Sequence, residues 1–261
     1  MTLARWAAPV LILAALPGWA RQIGSFDRTL AVNGAVDLDV RTNSGAISVH
    51  TGNTQQVQIH AVIDGRDVSS ADEQRARDIE ANPPIHQTGN SIRIDRLDDF
   101  TYRHISVSYE LTVPPQTKVQ ARTGSGSESI ESVRGPVEAE TGSGSIRVSG
   151  VDQEIHARTG SGSIEFERTK ASVDAETGSG TIRGEDVAGP VTARAGSGGI
   201  RLRLDPTAGF DVHAHTGSGR FTVTPPMTVQ GAFGSRAVQG KIRGGGKALE
   251  LATGSGSIHL D

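Results

Sequence analysis

Apolar residues fall into fixed columns along most of this chain. Aligned on the threonine of a Thr-Gly-Ser-Gly phrase, Val119, Val137, Ile155, Val173, Val191 and Val212 stand four places before it, and Ala121, Ala139, Ala157, Ala175, Ala193 and Ala214 stand two before it. Five places after it stand Ile146, Ile164, Ile182, Ile200, Phe221 and Ile258. This is period-two alternation on either side of the glycines, with a shift of phase across them: two half-buried strands joined by a bend. Turn signals such as Arg134-Gly135-Pro136 and Ala188-Gly189-Pro190 close each unit. The phrase starts at Thr123, Thr141, Thr159 and Thr177, continues as a variant at Ala195, each eighteen residues after the last, and recurs at Thr216 and Thr253. A short fixed period marks a solenoid, in which one unit cannot bury its apolar face and stacked units can. The expected fold is therefore all-β: a single-stranded β-helix or β-solenoid with about 18-residue rungs. Right-handedness follows from the general precedent of parallel crossovers.

The coil begins before the regular repeats. "LDVRTNSGAISV", Leu38 to Val49, aligns with Val137 to Val148 and reads as a first rung. A strand is expected over Val57 to Ile63, then a short surface helix over Ser69 to Ala81, with Ser69 or Ser70 as N-cap and Asn82-Pro83-Pro84 as its stop. Ser91 to Asp95 and Ile105 to Val113 return to strands, the second with strict alternation. Three parts result: 1–20, an export leader; 21–118, an N-terminal part of the solenoid with irregular strands and the one helix; and 119–261, the regular Thr-Gly-Ser-Gly solenoid. Glu128 interrupts the inward isoleucine column, and a carboxylate buried there would be costly. A local shift with Ile130 in the inward place, or a position near the polar N-terminal part, would relieve it; a functional carboxylate is the weaker alternative.

Outward positions carry charge in a pattern. Immediately before the threonine stand Arg122, Glu140, Arg158, Glu176 and Arg194, whose signs alternate, preceded in the first rung by Arg41. At strand spacing such a column is a ladder of opposite charges, each pair worth about 0–1 kcal/mol, and its main effect is on register. Three places before the threonine stand Glu138, His156 and Asp174; six after it stand Arg147, Glu165, Arg183 and Arg201, where the alternation fails at the last step.

Composition narrows the function. With 4% aromatic residues and 33 glycines, small and aliphatic side chains must fill the interior, and a net charge of −3 gives no reason to expect a nucleic-acid partner. Met1 to Arg5, the apolar run Trp6 to Leu16 and Pro17-Gly18-Trp19-Ala20 form the pattern of a signal peptide cut after Ala20. The rest of the chain has no run apolar enough for a membrane span, and the absence of cysteine excludes disulfides. Repeated Gly-Ser-Gly without a following lysine and helix is no phosphate loop. His213 and His215, two apart on one strand, face the same way and could supply two metal ligands, but the neighbouring sequence offers no third. Only Asp205 to Phe210 and Thr224 to Lys247 exceed a minimal turn, and neither gathers the paired carboxylates of a glycosidase. No catalytic residue and no cofactor are expected.

The succession "SFDRTLAV", "LDVRTNSGAISV", "SYELTVPPQTKVQARTGSGS" and then repeated "VxAxTGSGxI" resembles the bacterial "putative adhesin" family of unknown function, whose members are sometimes called toast-rack domains. The resemblance covers nearly all of the chain after residue 20. It implies an exported β-solenoid-like protein and supplies no functional residues. This chain departs from the family pattern in its regular spacing and in the irregular segment Thr224 to Lys247. The expected function is non-enzymatic binding or scaffolding in the cell envelope, in the periplasm or at the cell surface, with an envelope protein or polysaccharide as partner. Two alternatives stay open: a polysaccharide- or cell-wall-active β-helix enzyme, and a periplasmic accessory protein of envelope-stress signalling. Because Asp261 falls within the strand of the Thr253 unit, that strand edge is expected either to be covered by the Thr224 to Lys247 segment or to make an interface, and weak end-to-end self-association through it is the favoured expectation.

Overall fold

A computed structural model describes residues 21–52, 55–229 and 236–261. The leader expected over residues 1–20 lies outside the described residues. Two sheets, of eleven and twelve strands, contain one continuous apolar core between them. Each regular unit gives one strand to each sheet. Val137–Ser143 lies in the twelve-stranded sheet and buries Val137, Ala139 and Thr141; after the glycine bend, Ile146–Ser149 lies in the other and buries Ile146 and Val148. The next unit repeats this in parallel register. Val137 partners Ile155, Ile155 partners Val173 and Val173 partners Val191, while Ile146, Ile164, Ile182 and Ile200 align in the second sheet. Burying a Val or Ile contributes roughly 1.5–3 kcal/mol, so the columns are the main source of stability.

The recurring phrase has two physical causes. The threonine faces inward, and its hydroxyl donates to the carbonyl of the bend glycine one rung back: Thr141 to Gly126 (3.1 Å), Thr159 to Gly144 (3.0 Å), Thr177 to Gly162 (3.0 Å). Each buried hydroxyl is thereby satisfied and each bend is tied to its neighbour. The second glycine of the phrase has no alternative: Gly162 has φ +152°, and a Cβ there would lie 1.9 Å from the carbonyl oxygen of Gly144. The return turn uses the left-handed region once per rung, at Ser132, Gly150, Arg168 and Asp186. Only one of the four is glycine, which hides the turn from inspection of the sequence.

The N-terminal part joins the stack through Val36–Ser44 and Ile47–Thr51, whose Leu38 and Thr42 partner Val119 and Thr123. Beyond it, Ile105–Val113, Gln56–Gly65 and Arg21–Ala31 pair antiparallel to one another. The helix runs Ser70–Ala81, capped by Ser69, whose hydroxyl accepts from the Asp72 amide while the Asp72 carboxylate accepts from the Ser69 amide. The Ser69 hydroxyl also donates to the Asp72 carboxylate at 2.6 Å, and with the Ser69 amide it holds that carboxyl down at about 2. Glu80, near the helix end, accepts from the Ser25 amide at 2.7 Å and covers part of the edge strand Arg21–Ala31. Ser69→Ala is expected to cost about 1 kcal/mol in denaturant unfolding, and Ser69→Asn to restore it. A helix packed tightly enough to be indifferent to its cap would show no loss.

Two sequence expectations are corrected. Glu128 is not relieved by a shift: it is in register with Ile47 on one side and Ile146 on the other, and it is 1% exposed. Ile130 is also inward, in its own column with Val49 and Val148. A shift of one residue would turn every side chain of Glu128–Glu131 over, and Ile130 would then leave the core.

The second correction concerns rung order. Lys247–Ser255 does not follow Phe210–Ser218 at the end of the sheet; it lies between Val191–Ser197 and Phe210–Ser218, parallel to both. Ile258–Leu260 likewise lies between Ile200–Leu204 and Phe221–Val223. The rung that is later in sequence is thus seated between two earlier ones, and the strand expected at an uncovered edge is interior. The segment after Thr224 extends the twelve-stranded sheet instead: Ala237–Ile242 pairs antiparallel with Phe210–Ser218, and Met227–Val229 with it in turn.

Candidate functional site: the outer face of the twelve-stranded sheet

The outward positions of the twelve-stranded sheet alternate with its core positions, so every rung presents its side chains at the same height. Register places Arg41, Arg122, Glu140, Arg158, Glu176 and Arg194 side by side on successive strands. Arg122 donates to Glu140 at 3.1 Å and to Glu138 at 2.7 Å, and lies 3.8 Å from Asp39. Arg158 stands between Glu140, at 4.0 Å, and Glu176, at 3.6 Å. Arg194 reaches Asp174 at 3.7 Å, so the ladder crosses here to the neighbouring column. That second column holds Gln120, Glu138, His156 and Asp174, with His156 3.8 Å from Asp174. Gln120 and then Arg122 hold the Glu138 carboxyl below its ordinary value.

Beside the ladder runs a shallow trough of about 490 Å³, walled by Arg122, Glu140, Arg158 and Glu176 and floored at Gly142, Gly160 and Gly178. The same glycines that let neighbouring bends approach leave the trough without side chains. Its period is that of parallel strands, about 4.8 Å per rung. A linear polymer lying along it would meet the same guanidinium and carboxylate pair every second rung.

The ladder ends where the later rung is seated. Arg194 is followed by Ala252, then His215, then Ala237. In the parallel column Thr192 is followed by Glu250, His213 and Gln239. The small alanines leave a groove of about 460 Å³ whose wall includes Arg194, Glu250, His213, His215 and Gln239. One guanidinium, one carboxylate, an amide and two imidazoles converge on it, a set that can donate to and accept from a polyhydroxylated or ionic ligand. Sequence order alone would have set Arg194 beside His215; no residue pattern announces Glu250 as the neighbour of His213. His213 and His215, the two metal-ligand candidates of the sequence, both line this groove; among the described residues no group of three or more His, Asp or Glu side chains that could hold a metal ion is found.

Solved structures with a similar course include a "putative cell adhesion protein" from Clostridium sporogenes, at 12% identity and TM-score 0.42, covering 93% of this chain and 99% of that one. A "putative adhesin" from Bacteroides fragilis gives 12% identity and TM-score 0.47, with 91% and 97% coverage, and one from Parabacteroides merdae gives 7% and 0.31, with 91% and 96%. No curated protein matches. Residues 35–261 match the family described as Toastrack DUF4097, and the chain belongs to that family.

Proposed function

We propose that this protein is a non-enzymatic binding or scaffolding protein of the cell envelope, exported by residues 1–20 and acting in the periplasm or at the cell surface. Its binding surface is the outer face of the twelve-stranded sheet, and its partner is an extended molecule, a polysaccharide or an envelope protein. The observation that carries this reading is the run of register-matched charges from Arg122 to Arg194, with its glycine-floored trough and the terminal groove. Exposed pairs of this kind add about 0–1 kcal/mol each to stability. Their regular order therefore matters more for register and for contact than for holding the fold. In the same reading the rungs are eighteen-residue turns of a right-handed coil, with 21–118 as its irregular beginning and 119–261 as its regular body.

The test is retention of the purified protein by peptidoglycan, surface polysaccharide or outer-membrane proteins, each presented separately. Saturable, salt-sensitive retention by one of them is expected. Breakdown of a polymer in the same tubes, or indifference to all three, would contradict the reading. Arg158→Glu, which sets three acids side by side, is expected to cost no more than about 1 kcal/mol in thermal or denaturant unfolding while weakening retention. Global unfolding of that variant would make the ladder a structural element rather than a surface.

A further inference from the structure

We propose that the slot between the Ala195 rung and the Thr216 rung accepts its occupant from a second copy of this chain, so that Lys247–Asp261 is exchanged between molecules.

The slot is laid out by residues that precede its occupant. Its two walls, Val191–Leu204 and Phe210–Val223, are joined directly through Asp205–Gly209, and both come before Lys247 in the chain. Until the later segment arrives, the facing strands present unpaired amides and carbonyls across a gap one rung wide. The segment then satisfies both sides at once. Gly198 and Ile200 donate to Ser255 and Ser257 on one wall, while Gly256 and Ile258 donate to Ser218 and Arg220 on the other. Leu249, Leu251, Thr253, Ile258 and Leu260 become buried. None of these contacts depends on which molecule supplies the segment. That equivalence is the condition for strand exchange between identical chains.

The tether is suited to opening. Arg243, Gly244, Gly245 and Gly246 have φ of 51°, 83°, 87° and 147°, four positive values in succession. A side chain added at Gly244 would meet nothing within 4 Å, so the apex of the turn lies in open space, while Gly245 and Gly246 lie against Asp211 and Gly209. Arg243 donates to the carbonyls of Asp205 and Ala208 at 3.0 Å each. It anchors the preceding strand Ala237–Ile242 to its own molecule, and straightening the glycines after it breaks the Gly245 amide bond to Ile242 and the Gly246 amide bond to Asp211, both 3.1 Å long. The exchanged unit is thus one complete rung, and the hinge is Gly244–Gly246.

The chain has no cysteine, which makes the test direct. Arg194 and Ala252 are outward register partners across the slot wall. Chains carrying only Arg194→Cys are mixed in denaturant with chains carrying only Ala252→Cys, refolded together at high concentration and oxidised. Exchange predicts a disulfide between the two kinds of chain, several-fold more abundant than in a mixture of Arg122→Cys with Ala252→Cys, whose sites are rungs apart. It also predicts a dimer on size-exclusion chromatography that disappears when refolding is dilute. The single chain carrying both Arg194→Cys and Ala252→Cys is expected to close its disulfide within one molecule in dilute refolding. If that pair closes within one chain and the mixed single variants give no more cross-disulfide than the distant pair, exchange does not occur. If it does not close within one chain, the slot is not occupied as described and the proposal falls with it.

Discussion

Replacing Glu128 by isoleucine is expected to stabilise the protein by about 3 kcal/mol at pH 7, with the gain rising with pH. The carboxyl is buried between Ile47 and Ile146, and among the described residues no group stands in hydrogen-bonding geometry to either of its oxygens. Burial pushes it from an ordinary 4.5 up to about 9. The sign follows from which state holds the proton. Below about pH 4.5 both states are protonated and the acid costs no ionic free energy. Between 4.5 and about 9 the unfolded chain ionises while the folded one keeps its proton, so stability falls by about 1.4 kcal/mol per pH unit. Above about 9 both are ionised and the loss levels off. Denaturant unfolding of the wild type and Glu128→Ile at pH 4, 7 and 9 should show the curves diverging. Glu128→Gln should remove the pH dependence while keeping much of the polar burial cost. A constant difference across that range would mean that Glu128 is ionised or partnered inside the coil.

The opposite effect is expected at the bends. Gly162→Ala should cost about 4 kcal/mol or more and leave little folded protein at ambient temperature. Two costs coincide there: φ is +152°, and the new methyl would stand 1.9 Å from the Gly144 carbonyl oxygen, which belongs to backbone that is itself hydrogen-bonded and stacked. Separating the two rungs to make room would also break the Thr159 hydroxyl bond. Gly89→Ala is the control, since φ is +58° but nothing lies within 4 Å of the added atom. It should cost only about 1 kcal/mol. Equal losses in the two variants by circular dichroism and thermal unfolding would mean that conformation alone, not rung spacing, dictates the glycines.

These residues also mark where sequence reading succeeds and stops. Val, Ala and Ile columns report the rungs because every rung must bury the same positions at period two, as Val137, Ala139 and Ile146 do. The helix over Ser70–Ala81 was legible from its cap, Ser69, and its stop, Asn82-Pro83-Pro84. The threonine could be aligned but not explained, since its role is a bond to a carbonyl one rung away. Glu128 was visible as an exception, but a solitary acid does not say whether the strand shifts or the acid is buried. Packing decided it, because a shift would have expelled Ile130. Rung order was beyond the column pattern altogether: each rung offers nearly the same inward face, so any could neighbour any other. The one local hint is that the Thr253 unit carries Leu251 where the regular rungs carry Ala, beside Leu249 in the Val and Ile column. Strands Arg21–Ala31 and Ile85–Thr88 were missed because both lie at sheet edges with few buried positions. The terminal groove was missed because Glu250 and Ala252 reach it only through the inserted rung.

In the proposed reading, one face of one sheet makes the contact. Its most direct measurement compares two triple charge reversals for retention by whichever envelope fraction holds the wild type. Arg122→Glu, Arg158→Glu and Arg194→Glu alter the outer face of the twelve-stranded sheet; Arg147→Glu, Arg183→Glu and Arg203→Glu alter that of the eleven-stranded sheet. Both sets change net charge equally. Loss of retention in the first set with retention kept in the second, at matched circular dichroism, is the predicted result. Equal loss in both sets would reduce the interaction to net charge, and loss in the second alone would move the binding surface to the opposite sheet.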